Sequence, residues 1–140
     1  MRRQRQYQRH RRSEERGSYR IAFIIQRGKR VPLISIIYDT GDREYLARYV
    51  EEISYGIEEE GLMFNIASTE AENIFEAAIG SAQSSATGAA VGIGKDFIVI
   101  MDKKAKDKRP VLLYNGCDPY LCRIAGQNAA RLAKCKPFLL

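Results

Sequence analysis

The stretch "PLISIIYDTGDREYLARYVEEISYGIEEEGLMFNI", residues 32–66, decides the fold. It opens on an aliphatic run, Pro32 to Asp39, that reads as a strand covered on both faces. Asp39, Thr40, Gly41 and Asp42 then supply turn and capping residues. Leu46, Tyr49, Val50, Ile53 and Ile57 follow at helical spacing on one face, with i,i+4 pairs from Glu44 to Arg48 and from Arg48 to Glu52 supporting the early part of that helix. Gly61 reads as the residue that ends it, and "LMFNI" is a second strand. Strand, helix and strand in this order form the repeating unit of a parallel sheet.

The pattern continues beyond it. Thr69 reads as the cap of a second helix through Ile74, Phe75, Ala78 and Ile79. "GAAVGIG" (88–94) and "FIVIMDK" (97–103) are joined around Lys95 and Asp96, a connection too tight for a parallel crossover, so the pair is expected to be a hairpin. "VLLYN" (111–115) is a fifth strand, and "DPYLCRIAGQNAARLAKC" (118–135) is a last helix before "KPFLL". The expected fold class is α/β: a three-layer sandwich whose five-stranded, mixed and mostly parallel sheet, with one antiparallel hairpin strand, is flanked by helices.

A chain of 140 residues with 45% hydrophobic and 29% charged residues has the size and composition of one domain around one core. Its net charge of +6 suggests nucleic acid until it is divided along the chain. Residues 1–31 hold eleven Arg/Lys against two Glu, a net of +9, whereas residues 32–140 hold twelve Arg/Lys against fifteen Asp/Glu, a net of −3. The basic character belongs to a tail and says little about the domain's own surface. Residues 1–20 contain almost no aliphatic side chain and are expected to be disordered or a frayed helix; "IAFII" (21–25) is the exception, an apolar run able to pair as an edge strand. The boundary falls near Val31, dividing a basic N-terminal extension, 1–31, from the domain, 32–140. No apolar run approaches the roughly 18 residues of a membrane span, and the arginine-rich start lacks the apolar core of a signal peptide, so a cytoplasmic protein is expected. Cys117, Cys122 and Cys135 match no CxxC or zinc pattern and read as reduced thiols.

Few motifs carry chemistry. "AAVGIGKD" (89–96) approaches a phosphate-binding loop but puts Asp96 where Ser or Thr should hold magnesium, and a strand follows where a helix should aim its N–H groups. Its glycines read instead as places where a strand packs closely under a helix or bends. His10, the sole histidine, lies in the tail, which removes histidine chemistry from the domain. The lysines of 103–108 are interrupted by Asp107 and have no aromatic residue between them for stacking on bases, so they read as a solvated loop. Gly126, Gln127 and Asn128 fit a ligand-contacting turn or, more simply, helix packing. No catalytic residue emerges, and the chain is not expected to be an enzyme.

Glu58, Glu59 and Glu60 remain. They crowd the helix end where the macrodipole is already negative, each charge costing about 0.3–1 kcal/mol there, and no lysine or arginine in that turn offsets them. With Ile53 and Ile57 facing the core, Glu59 lies about 200° round from Ile57 and projects outward, while Glu60 falls beside the buried face. A charge at a surface needs no special cause, yet three at the unfavourable end of a helix make this run the best candidate for a binding device.

"GIEEEG" (56–61), "VGI" (91–93) and "NAARL" (128–132) followed by "PF" (137–138), behind an aliphatic first strand, resemble the small subunit of the diol dehydratase and glycerol dehydratase reactivating factors. The likeness runs over residues 32–140. It implies a compact α/β fold related to one subunit of the dehydratase itself, and a chaperone component without catalysis of its own. In such factors a large, actin-like ATPase subunit carries the nucleotide, and the small subunit gives way to the dehydratase's related subunit, so that the dehydratase opens and releases damaged cobalamin. The resemblance implies that Glu59, the middle glutamate, reaches the magnesium at the partner's nucleotide site, with Glu58 and Glu60 adding negative potential at the same partner-binding surface. The chain would have no cofactor of its own beyond that shared magnesium. Its partners would be the ATPase subunit and a diol or glycerol dehydratase, in a cytoplasmic hetero-oligomer that associates with a bacterial microcompartment where one exists; neither nucleic acid nor membrane is expected.

The tail departs from the family, whose members usually begin near the first strand. Either Val31 is encoded by a GTG start, with Arg27-Gly28 encoded by a purine-rich ribosome-binding site, or the tail is a genuine basic arm for an acidic partner. Two rival functions stay open: a subunit of the cobalamin-dependent dehydratase itself, and a nucleic-acid-binding module using the arginine tail, whose affinity would fall steeply with salt.

Overall fold

Leu33, Ile34, Ser35, Ile36, Ile37 and Tyr38 are all buried, which a strand achieves only when both its faces are covered. In the computed structural model, which describes residues 23–26, 29–39, 43–70, 73–105, 107, 109–116 and 118–139, this run lies in β2 (Lys29–Asp39). Ile34, Ile36 and Tyr38 enter one core and Ile37 enters another on the opposite face. β1 (Phe23–Gln26) precedes β2, and the chain continues through α1 (Arg43–Glu59), β3 (Met63–Thr69), α2 (Ile74–Ser84), β4 (Ala89–Ile93), β5 (Phe97–Asp102), β6 (Leu112–Asn115) and α3 (Pro119–Ala133).

The five strands of the domain stand in the order β3-β2-β4-β5-β6. β2 pairs parallel with β3 and with β4, whereas β5 is antiparallel to both β4 and β6. Four strands therefore run one way and β5 the other, the mixed and mostly parallel sheet expected from the sequence. β1 adds a short antiparallel arm to the first residues of β2, from Phe23 opposite Pro32 to Gln26 opposite Lys29. "IAFII" thus contributes to a strand, and Val31 lies inside β2. The disorder expected for residues 1–20 and the turn at 40–42 fall outside the described residues.

The crossover from β2 to β3 and the return past β2 to β4 move in opposite directions along the sheet. A common right-handed crossover then requires their helices to lie on opposite faces. They do: α1 and α3 cover Ile34, Ile36, Phe64, Ile66, Val91, Ile93, Ile98 and Ile100, while α2 covers Ala90, Val99 and Met101. The result is three layers.

One expectation at an element end is corrected. Thr69 does not cap α2; it pairs with Asp39 as the last residue of β3, and Asn73 is the cap, its side-chain oxygen accepting from Phe75 N at 2.9 Å. Parallel pairing over seven residues outweighs the local preference of threonine for a cap. The near-match to a phosphate loop resolves as packing, because a Cβ at Gly92 would come within 2.8 Å of Ile74 on α2, and Gly94 N donates to Phe97 O inside the β4–β5 hairpin.

On the other face, α1 and α3 approach more closely still. A Cβ at Gly56 would lie 2.2 Å from Arg123 O, and one at Gly126 would lie 2.1 Å from Ile53 O. Each helix presents a glycine to the other's backbone. Gly126 is therefore a packing residue, and Asn128 is buried beside it, its amide donating to Tyr114 Oη at 2.8 Å and to Leu139 O at 3.0 Å while accepting from Leu139 N. Part of the "NAARL" block thereby fastens the C-terminal segment. Cys122 is buried in this core and Cys135 is exposed, and neither is in a disulfide; Cys117 lies outside the described residues.

Candidate functional site

α1 ends as Gly61 implied. Gly61 takes a positive φ of 83°, its N–H donates to Glu58 O at 2.9 Å, and Leu62 N donates to Ile57 O at 3.3 Å, the two bonds of a Schellman stop. Glu58 and Glu59 are consequently the last residues of α1 and Glu60 follows them, with only Gly61 and Leu62 before the chain enters β3. They sit at the end of the sheet where the parallel strands begin, opposite the end at which open α/β sheets usually bind small ligands.

The charge compensation that α1 lacks in its own last turn comes from α3. Arg123 donates Nε and Nη2 to Glu52 Oε2, at 3.1 and 2.9 Å, and Nη1 to Glu59 Oε1 at 3.0 Å. Arg131 Nε and Lys134 Nζ hold the two oxygens of Glu60 at 3.2 and 3.1 Å, and Lys134 also reaches the Glu60 carbonyl. Burial alone would push the Glu60 carboxyl up, but the hydrogen bonds and charges of Lys134 and Arg131 outweigh it and hold it below the ordinary carboxylate value. Burial likewise works against the charge of Arg123, and the carboxylates of Glu52 and Glu59 more than restore it.

The three glutamates differ in consequence. Glu60 is largely covered, its side chain 13% exposed, and is a structural tie between α1 and α3. Glu58 is half-buried. Glu59 is exposed, with its Oε1 on Arg123 and its Oε2 without a partner among the described residues. The outward projection of Glu59 and the inward lean of Glu60 follow the helical geometry.

Arg123, Arg131 and Lys134 escaped sequence reading. A signal existed: acidic residues at 52, 59 and 60, along and just past one helix, face basic ones at 123, 131 and 134, along and just past another. Nothing local says that the two helices meet. Glu52, which pairs with Arg48 in a reading confined to α1, receives Arg123 instead. Among the described residues no group of three or more His, Cys, Asp or Glu could hold a metal ion. No described helix is long and apolar enough to cross a membrane.

This architecture has known relatives. The model of the dehydratase medium subunit family matches residues 31–139. The chain belongs to that family. Among solved structures, this family member is similar to a chain in the structure of a diol dehydratase-reactivating factor complexed with ADP and Mg2+, at 28% identity and a TM-score of 0.68, over 79% of this chain and 99% of that one. It is also similar to a chain of a glycerol dehydratase reactivase at 21% identity and a TM-score of 0.70, over 78% of this chain and 97% of that one, a likeness of fold alone. No curated protein gives a match. The resemblance to the small subunit of reactivating factors thus holds in the family match and in a solved structure.

Proposed function

We propose that this chain is the exchangeable small subunit of a chaperone that reactivates a cobalamin-dependent diol or glycerol dehydratase. It would work with a large ATPase subunit in a cytoplasmic hetero-oligomer, beside a bacterial microcompartment where one exists. The observation that carries this reading is the match to a chain of a diol dehydratase-reactivating factor over 99% of that chain's length. That relative was solved with ADP and Mg2+, and the one carboxylate of the glutamate run that is both exposed and half-available is Glu59.

Glu59 fits a shared magnesium by the chemistry of its donor. A hard cation takes oxygen ligands and keeps several of them from nucleotide and water, so one carboxylate oxygen from a neighbouring subunit suffices. Bound at the interface, the metal would supply positive charge that depends on the partner's nucleotide. Glu59 would donate Oε2, Arg123 would hold Oε1, and Glu60 would keep the end of α1 docked on α3. Affinity between the subunits would then follow nucleotide state, and release of the small subunit would free its place for the related dehydratase subunit, from which opening of the dehydratase and loss of damaged cobalamin follow. Catalysis has no place in this role, and ATP hydrolysis belongs to the partner.

The test is binding of Glu59→Gln and Glu58→Gln to the ATPase subunit with magnesium and then with chelator. Loss of a charged contact at a buried interface costs about 2–5 kcal/mol, so Glu59→Gln should weaken association more than tenfold in magnesium, and Glu58→Gln much less. Parent-like binding of Glu59→Gln under both conditions removes Glu59 from the interface. A second reading, a subunit of the dehydratase itself, is favoured by the family's description as dehydratase medium subunit. Purification with endogenous partners separates the two: an ATPase subunit supports the chaperone, and a cobalamin-containing catalytic subunit alone supports the rival.

A further inference from the structure

We infer that Arg123 is the positioning residue for Glu59, a guanidinium fixed from several sides that grips one carboxylate oxygen and leaves the other for a cation outside the chain. The inference rests on the reading of Glu59 proposed above. Arg123 stands on α3, but every group that holds its side chain stands on α1. Nε and Nη2 both go to Glu52 Oε2, and the guanidinium carbon lies 5.4 Å from the centre of the Tyr55 ring. Tyr55 is itself restrained, its hydroxyl donating to Glu51 Oε1. A guanidinium over an aromatic face with two donors already engaged on one carboxylate has little freedom to turn. Its third donor, Nη1, meets Glu59 Oε1 at 3.0 Å.

Position and charge both matter at Glu59. An exposed glutamate otherwise samples many rotamers that must be lost on binding, and Arg123 removes much of that freedom beforehand. Arg123 does not cancel the site's attraction for a cation, because its charge is matched by Glu52 and Glu59 together, leaving the trio one negative charge in excess. Carboxylate ligands of metals are commonly held in this way through their second oxygen, and loss of the holding group lowers metal affinity about 10–100-fold. A residue with a purely structural role would act on the fold and would be indifferent to magnesium.

The experiment compares the parent, Arg123→Gln, Glu59→Gln and the double variant for binding to the ATPase subunit loaded with ADP and magnesium, and again after chelation, with thermal unfolding of each chain alone. Arg123→Gln should weaken binding about 10–100-fold in magnesium, add nothing to the loss already caused by Glu59→Gln, and differ little from the parent in chelator. Arg123→Lys should recover little, since an ammonium lacks the planar fork that reaches Glu52 and Glu59 at once. Glu52→Gln, which loosens Arg123 while keeping both Arg123 and Glu59, should give an intermediate, magnesium-dependent loss, and keeps the test decisive if Arg123→Gln unfolds. Losses that add in the double variant, or full binding by Arg123→Gln where Glu59→Gln is weakened, overturn the role of Arg123 alone. Full binding by Glu59→Gln overturns the reading of Glu59 and the positioning role with it.

Discussion

On one face of the sheet two helices, α1 and α3, meet backbone to backbone at Gly56 and Gly126, whereas on the other a single helix, α2, lies over Gly92 with only side chains between. The first contact has no give: an added Cβ would meet carbonyl oxygens at 2.2 and 2.1 Å, and a carbonyl moves only with its helix. The second has some, because the atoms nearest Gly92 belong to Ile74, Val99 and Ala78 side chains, at 2.8–3.1 Å. The charges divide in the same way. Glu52, Glu59 and Glu60 are tied to Arg123, Arg131 and Lys134 across the α1–α3 contact. A binding carboxylate gains precision from a rigid support, and Glu59 stands on the more rigid of the two faces.

The strongest way to break this comparison is to insert a methyl group at each contact. Gly126→Ala should cost about 2–3 kcal/mol, the upper range for overpacking a tight interior, even after about 1 kcal/mol returns through better helix propensity. Gly92→Ala should cost less, about 1–2 kcal/mol, as Ile74 and Val99 shift to admit it. Chemical denaturation of both variants measures the difference. Equal losses would show that the helix pair yields as readily as the α2 layer and that its rigidity is not special.

Glu60 sharpens the comparison through pH. Its carboxyl is held below the ordinary value in the folded chain, so it contributes stability at and above the unfolded carboxylate range and loses it as pH falls through the depressed folded value. Glu60→Gln should therefore cost about 1–3 kcal/mol at neutral pH, the range for an imperfectly replaced partner of covered charged groups. It should also flatten the acid limb of the stability profile. Thermal midpoints from neutral to acid pH report both effects, and an unchanged acid limb would assign acid sensitivity to other carboxylates.

Much of this architecture is legible in the sequence, for reasons that differ by element. The buried run of β2 announces itself because a strand covered on both faces cannot alternate with polar residues, and the stop of α1 because Gly61 adopts a backbone conformation that other residues resist. Asn73 as the cap of α2 was not legible: Thr69 offers equally good local chemistry, and only its pairing with Asp39 in another strand decides between them. The counter-ions of the glutamates were hidden for the same kind of reason. Arg123 is 64 residues from Glu59, and the two become neighbours only where Gly56 and Gly126 let their helices touch. Local signals thus locate the glutamate run, and tertiary contact decides which of its members stays exposed.

The smallest expected effect is the most discriminating one. From the helix alone, Glu59→Gln relieves a negative charge at the unfavourable end of a dipole, a gain of about 0.3–1 kcal/mol. The pairing with Arg123 opposes that gain, since Glu59 is exposed and such pairs contribute about 0.2–1 kcal/mol. The two nearly cancel, and the variant should unfold within about 0.5 kcal/mol of the parent, well short of the loss at Glu60. Stability that barely moves while magnesium-dependent association falls would separate Glu59, as a binding residue, from Glu60, as a structural one, although the two are adjacent in sequence. A loss above about 1 kcal/mol would instead place Glu59 with Glu60 among the ties between α1 and α3, and any weakening of association would then have to be attributed to the disturbed helix end.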